Sequence, residues 1–200
     1  MSARLRLAAM VIVGAVAASA CGSDAAVDTS VAVDFSRPSV EAVSDSIVRI
    51  IGFGCGAPAL GSGFAVEPNL IVTSGHLVTG RDPESLAVLR PSGDEYPATL
   101  VAFDADLDLA VLRVDDVQFE PVDLLAEVPL ESGVAIGMRT ASGVGVINEV
   151  EFEVDAPVIV NWDGVFRDTE SQFLGIRIEA EIRRGDSGSA LFVNDDTVIG

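Results

Sequence analysis

The sequence predicts an all-β fold, a barrel or a sandwich, on three observations. Short apolar runs recur along the chain, separated by glycine, proline, aspartate and asparagine. Valine and isoleucine are frequent in those runs, which suits a pleated, half-buried surface. No long stretch holds a 3.6-residue apolar period, which leaves little room for helices.

Taken in order, the expected strands are residues 47–53, 63–66, 70–73, 86–89, 98–103, 109–114 and 134–138. After these come 144–154, 158–160, 173–178 and 190–193, and residues 197–200 read as the opening of one more. Residues 39–45 form a helical turn before the first strand. Once the N-terminal segments are set aside, about 160 residues remain, enough for one domain with a real core. No internal repeat is visible.

The N-terminus reads as an export signal. Arg4 and Arg6 precede fourteen uncharged residues, Leu7 to Ala20, too short for a membrane span of about 20 residues. Ala18-Ser19-Ala20-Cys21-Gly22 has the form of a lipoprotein processing site, with alanine at 18 where such sites favour leucine. Cleavage before Cys21 would leave that cysteine to carry lipid and hold the chain at the membrane, on the cell surface or the periplasmic side. The other reading is ordinary signal cleavage, with Cys21 a spare thiol. Residues 21–45 are expected to be a tether, since Gly22 to Pro38 is small, acidic and poor in aromatics.

The chain has twelve arginines, no lysine and 31 acids, for a formal charge of −19. Removing residues 1–20 takes away two arginines and no acid, so ten arginines face 31 acids at −21. This balance disfavours nucleic acid and anionic lipid headgroups as partners.

Residues that could carry chemistry lie in three places. Arg184-Gly185-Asp186-Ser187-Gly188-Ser189-Ala190-Leu191 sets a hydroxyl on a glycine-flanked turn before an apolar run. Such a turn can present both an oxygen and backbone N–H groups to one carbonyl, although the same residue types also build ordinary loops. A serine hydroxyl at its free pKa is a weak nucleophile and needs a base, and His76 is the one histidine in 200 residues. The base in turn needs a carboxylate to orient it. Asp104, Asp106 and Asp108 all stand in one short run, and strand alternation would point all three the same way.

At these residues the chain resembles the trypsin-like serine peptidases of chymotrypsin fold, in particular the bacterial secreted HtrA-like branch. The matching segments are GSGFAV, TSGHLV, DLDLAVLRV and RRGDSGSAL, in the order His, Asp, Ser, and the resemblance runs from about Ser46 to Gly200. It implies two six-stranded-type antiparallel β-barrels within a domain of residues 46–200, with residues 119–129 as the seam between them. It also implies hydrolysis of a protein or peptide substrate by Ser187, His76 and Asp108, the last because it immediately precedes Leu-Ala-Val-Leu. The backbone N–H groups of Gly185 and Ser187 would form the oxyanion hole, in a loop fixed by Asp186. Ser189 departs from the second glycine of many relatives.

Glu181, six residues before Ser187, falls where trypsin-like enzymes place a residue at the base of the pocket for the side chain before the scissile bond. It reads equally as a surface acid. Arg184, with Arg183, either lines the mouth of that cleft or faces solvent. Arg49-Ile50-Ile51-Gly52 imitates a zymogen cleavage site, but only 26 residues separate Ile50 from His76, so residues 47–53 are expected to be a strand and no proteolytic activation follows. Cys55 has no partner if Cys21 carries lipid. Thirteen residues follow Ser187, where the family continues for several strands, so the second barrel is expected to be incomplete and Gly200 a truncation point.

No metal or other cofactor is expected, because Cys21, Cys55 and His76 lack ligand spacing and Gly61-Ser62-Gly63 lacks the lysine of a phosphate loop. Two alternatives stand beside the peptidase. One is a pseudo-peptidase, a surface binding module that keeps the barrels but has an unfinished cleft. The other is a structural β-barrel in which the three motifs are coincidental and lie far apart.

Overall fold

A computed structural model describes residues 37–54, 56–125, 132–141, 144–166 and 170–199. The export signal, Cys21, most of the tether, Cys55 and Gly200 lie outside them. One helical turn, α1 (Val40–Val43), precedes the strands, capped by Ser39 Oγ, which accepts from Ala42 N at 3.1 Å.

The first sheet is built from β1 (Ile47–Gly54), β2 (Ala57–Glu67), β3 (Leu70–Ser74), β4 (Ala87–Leu89), β5 (Glu95–Pro97), β6 (Thr99–Asp104) and β7 (Leu109–Arg113). A single helical turn, α2 (Gly75–Val78), follows β3. The strand order is β5-β4-β1-β2-β3-β7-β6, and every pairing is antiparallel. The second sheet contains β8 (Asp123–Leu124), β9 (Ser132–Ala141), β10 (Val144–Trp162), β11 (Ser171–Glu179), β12 (Ala190–Phe192) and β13 (Thr197–Val198), in the order β11-β10-β9-β12-β13-β8. Its pairings are antiparallel except β13 with β8. Both sheets curl, so the fold is the two-barrel, all-β arrangement the sequence predicts. The first sheet has seven strands rather than six because the short β5 adds an edge to β4.

Side-chain alternation on β1 explains how the sheets join. Val48 and Ile50 point into a core shared with Ile71, Val88 and Leu112, all within the first sheet. Ile47 points the other way, into a second core with Phe64 of β2 and Val134, Ile136 and Phe192 of the second sheet. A strand apolar on both faces is buried on both faces. Each fully buried Ile or Phe contributes about 1.5–3 kcal/mol relative to exposure. The Arg49–Ile50 bond therefore lies inside a strand paired on both sides, with Arg49 3% exposed and Ile50 wholly buried. It is not an exposed cleavage site. The segment 119–129 contributes the buried Phe119 and Val122 before β8 opens the second sheet, the place where the seam was expected; residues 126–129 are outside the described part.

Candidate active site

Strand β3 runs straight into α2, which carries His76 in its first turn. Pairing of β3 with β7 brings Ser74 opposite Leu109, so the residue before Leu109 arrives beside the helical turn. That residue is Asp108. It sits in the tight connection between Asp104 and Leu109, which are themselves a cross-strand pair of β6 and β7. Asp104 ends β6, while Asp106 and Asp108 lie in the turn, so the alternation expected for the three acids does not apply. Asp104 turns inward on its own loop, accepting from the amides of Asp106 and Leu107 at 2.9 Å each. Asp108 adopts φ +54°, the left-handed conformation that aspartate tolerates better than most residues.

Asp108 holds the helical turn with three hydrogen bonds. Its carbonyl oxygen accepts from Gly75 N at 2.7 Å, and its Oδ1 accepts from His76 N at 2.7 Å. Its Oδ2 lies 2.7 Å from His76 Nδ1. With backbone and ring of the same histidine bound to one carboxylate, the imidazole has a fixed plane and its Nδ1 keeps the proton. The His76 pKa is raised above 6.5, first by the hydrogen bond to Asp108 and also by that carboxylate's charge, against opposition from partial burial and the Arg81 charge. Gly75 leaves room beside this pair. A Cβ there would meet Phe103 Cε2 at 3.0 Å and Asp108 Oδ1 at 3.2 Å. Phe103 in turn packs on Phe166, ring centroids 6.0 Å apart, and Val165 N donates to Ala105 O at 3.0 Å. The turn after β10 thus touches the loop that presents Asp108.

The Ser187 loop crosses from the second sheet onto β2 of the first. Ser62 N donates to Ser187 O at 2.7 Å, and Ser62 Oγ donates to Gly185 O at 2.8 Å. Gly61 is where this loop meets the histidine turn: a Cβ there would lie 2.2 Å from Leu77 Cδ1 and 2.9 Å from Ser187 O. Leu77 is the neighbour of His76, so the structure brings Ser187 to the same junction as the His76–Asp108 pair. Gly185 and Gly188 supply positive φ values of +101° and +80° that the turn needs.

Asp186, 9% exposed, accepts from Arg183 N at 2.8 Å through Oδ2 and from Asn148 Nδ2 at 3.5 Å through Oδ1. Its own amide donates to Arg183 O at 3.1 Å, and its carbonyl accepts from Ser189 N at 2.9 Å. The carboxylate so closes the loop on itself and ties it to β10. Ser189 is accommodated because β9 presents a glycine to it: a Cβ on Gly137 would fall 1.9 Å from Ser189 Oγ.

Glu181 and Arg184 are both exposed. Glu181 pairs with Arg183, whose Nε donates to Oε1 at 3.1 Å. It borders an open groove of about 280 Å³ shared with Glu149 and Glu151, and those two carboxylates pair with Arg37. Sequence reasoning missed Ser62, Asn148 and Phe103 as contributors to the site. Ser62 alone had a visible signal, as the middle residue of a glycine pair inside an apolar run.

Residues 61–200 match the family described as the trypsin-like peptidase domain. The chain is 26% identical over 168 residues to the serine protease Rv3671c of Mycobacterium tuberculosis, across 82% of this chain and 41% of that protein. It is 32% identical over 151 residues to a probable periplasmic DegP-like serine endoprotease of Bartonella henselae, across 71% of this chain and 27% of that one. The active form of the Rv3671c protease superposes with a TM-score of 0.68 at 22% identity, covering 78% of this chain and 72% of that structure, a likeness of fold. The chain thus spans less than half the length of these curated relatives.

Proposed function

The chain belongs to the trypsin-like peptidase family, and from that premise we propose that it is a serine endopeptidase acting through Ser187, His76 and Asp108. The observation that carries the reading is the His76–Asp108 pair. With Nδ1 held 2.7 Å from Asp108 Oδ2, Nε2 is the ring nitrogen left to act as base, and the Ser187 loop is docked at Gly61 beside the next residue of the same turn.

In this mechanism Ser187 Oγ attacks the scissile carbonyl carbon while its proton passes to His76 Nε2. The charge that collects on the carbonyl oxygen is met by the backbone N–H groups of Gly185 and Ser187. Collapse of the tetrahedral adduct breaks the C–N bond, and the proton on Nε2 goes to the departing amine. Water, deprotonated by the same nitrogen, then attacks the acyl carbon, and as the C–O bond to Ser187 breaks the proton on Nε2 returns to Ser187 Oγ. Asp108 stays ionised throughout and stabilises the imidazolium that forms twice. No preference before the scissile bond is assigned to Glu181, whose charge is already matched by Arg183.

The substrate class is protein or peptide. The N-terminal pattern supports an exported protein, and the alanine–serine–alanine–cysteine sequence ending at Cys21 supports a lipid anchor there. The test is labelling of the full chain with a fluorophosphonate probe, which needs an activated serine and an oxyanion site but little of the specificity pocket. Wild type is expected to label and Ser187→Ala not to; turnover of a casein substrate should fall by about 10⁴ in that variant with folding unchanged. Absence of labelling in wild type would favour the binding-module reading, and hydrolysis retained by Ser187→Ala would reject the assignment.

A further inference from the structure

We infer that Ser62 is a positioning residue for the oxyanion-binding loop: one buried side chain and its own amide hold two carbonyl groups of that loop at once. The inference rests on the peptidase reading of Ser187. Ser62 is wholly buried on β2. Its N–H donates to Ser187 O at 2.7 Å and its hydroxyl donates to Gly185 O at 2.8 Å. Its own carbonyl accepts from Thr73 Oγ1 at 2.7 Å, which ties the clamp to β3, the strand that leads into His76.

The geometry matters because of which peptide planes are held. Gly185 O belongs to the plane between residues 185 and 186, and Ser187 O to the plane between 187 and 188. The plane that carries the Ser187 N–H lies between them. The 185–186 plane is held at both ends, its carbonyl by Ser62 Oγ and its N–H by Arg183 O at 3.1 Å. Gly185 has no side chain to restrict rotation and sits at φ +101°, so without the hydroxyl its carbonyl has one partner fewer to keep the turn in register. Donors for a developing negative charge act only when they are set in advance. A loop misplaced by about 1 Å can cost on the order of 10² in rate.

The arrangement is tight from the other side as well. A Cβ on Gly137 would lie 2.5 Å from Ser62 Oγ, and a Cβ on Gly188 would lie 2.1 Å from Ser62 O. Glycines at those two positions are what allow Ser62 to reach both carbonyls.

The test compares Ser62→Ala with wild type and Ser62→Thr in the full chain, by steady-state peptide hydrolysis, the rate of fluorophosphonate labelling and thermal melting. Ser62→Ala is expected to lower kcat and the labelling rate by about 10- to 100-fold, with KM within about threefold of wild type and the pH midpoint set by His76 unmoved. Ser62→Thr, which keeps a hydroxyl, should recover most of the labelling rate. Should Ser62→Ala not fold, Ser62→Cys, whose thiol is a weak donor, is read in its place with the same expectation. As a comparison, Ser85→Ala removes a hydroxyl that donates to Phe53 O at 2.9 Å on the far end of β1, and should lower the melting temperature with kcat retained. Wild-type kcat and labelling in a folded Ser62→Ala, or in the cysteine variant, would overturn the inference while leaving the peptidase reading standing. No labelling of wild type would overturn the peptidase reading, and this inference with it.

Discussion

Gly188 and the Ser62 carbonyl oxygen are so close that a Cβ on Gly188 would fall 2.1 Å from that oxygen, and 2.7 Å from Thr73 Oγ1. The loop that carries Ser187 can therefore dock only with a glycine there. Gly93 provides the contrast, since its φ of +97° is equally left-handed and no atom stands within 4 Å of its Cβ position. Gly93→Ala should cost only the backbone term, about 1–2 kcal/mol. Gly188→Ala adds a collision with backbone, about 1–3 kcal/mol more, and should abolish probe labelling. Melting curves and labelling of the two variants check this; equal losses would contradict the docking geometry.

Asp108 raises the pKa of His76, and the sign of the pH dependence follows. A base must be neutral, so kcat/KM should rise with pH through a midpoint above 6.5. Asp108→Asn removes the charge and offers an amide that can hold the wrong tautomer, and should move that midpoint down while kcat falls by about 10⁴. The same shift acts on folding in the opposite sense. Because the folded pKa is raised, the stabilisation from protonated His76 is fully present below pH 6.5 and is lost as pH rises through the folded value. Denaturant midpoints for wild type and His76→Gln, compared on both sides of that range, should converge at the higher pH.

Phe166→Ala removes a ring that rests on Phe103, which itself touches the space over Gly75. The pair is half-exposed, so the loss in stability should be modest, about 0.5–1.5 kcal/mol. The informative readout is hydrogen exchange: the Gly75 amide, bound to Asp108 O, should exchange faster in Phe166→Ala. The exposed Phe53→Ala should leave it unchanged.

Gly137 and Ser189 form a complementary pair across β9 and the Ser187 loop. Gly137→Ala places a methyl 1.9 Å from Ser189 Oγ and should destabilise strongly. Ser189→Gly should be tolerated, and the double variant should be more stable than Gly137→Ala alone. A double-mutant cycle with a coupling on the order of 1 kcal/mol or more checks the contact.

Much of the strand pattern was legible because burial on one or both faces leaves apolar runs in the sequence. Strands β1, β3, β7, β9 and β12 lie on expected runs. The polar Glu95-Tyr96-Pro97 edge strand was not, since an exposed edge needs no apolar signal and tolerates proline. Asp155-Ala156-Pro157 read as a break between two strands, yet β10 passes through it, because a bulge between Val154 and Ala156 absorbs the irregularity. At the site, local spacing could propose that the three acids were equivalent. The family resemblance picked Asp108 by its place before Leu-Ala-Val-Leu, and the turn between β6 and β7, closed by the Asp104–Leu109 pairing, gives the physical reason that it is the acid beside the imidazole. The partners of Ser187 on β2 were invisible for a similar reason: Ser62 is 125 positions away, and contact between two sheets has no local periodicity.

The parallel pairing of β13 with β8 means that the second sheet joins the first of its strands in the chain to the last one among the described residues. All seven strands of the first sheet lie within residues 47–113, so the imidazole and its carboxylate can be assembled while later parts of the chain are still emerging. The Ser187 loop lies just before β12 and docks on β2 through Ser62, so it belongs to a part of the chain made after the whole first sheet. On this arrangement, the His76–Asp108 pair can form before residues 185–189 have been made, and the three side chains share one junction only once that loop rests on Ser62.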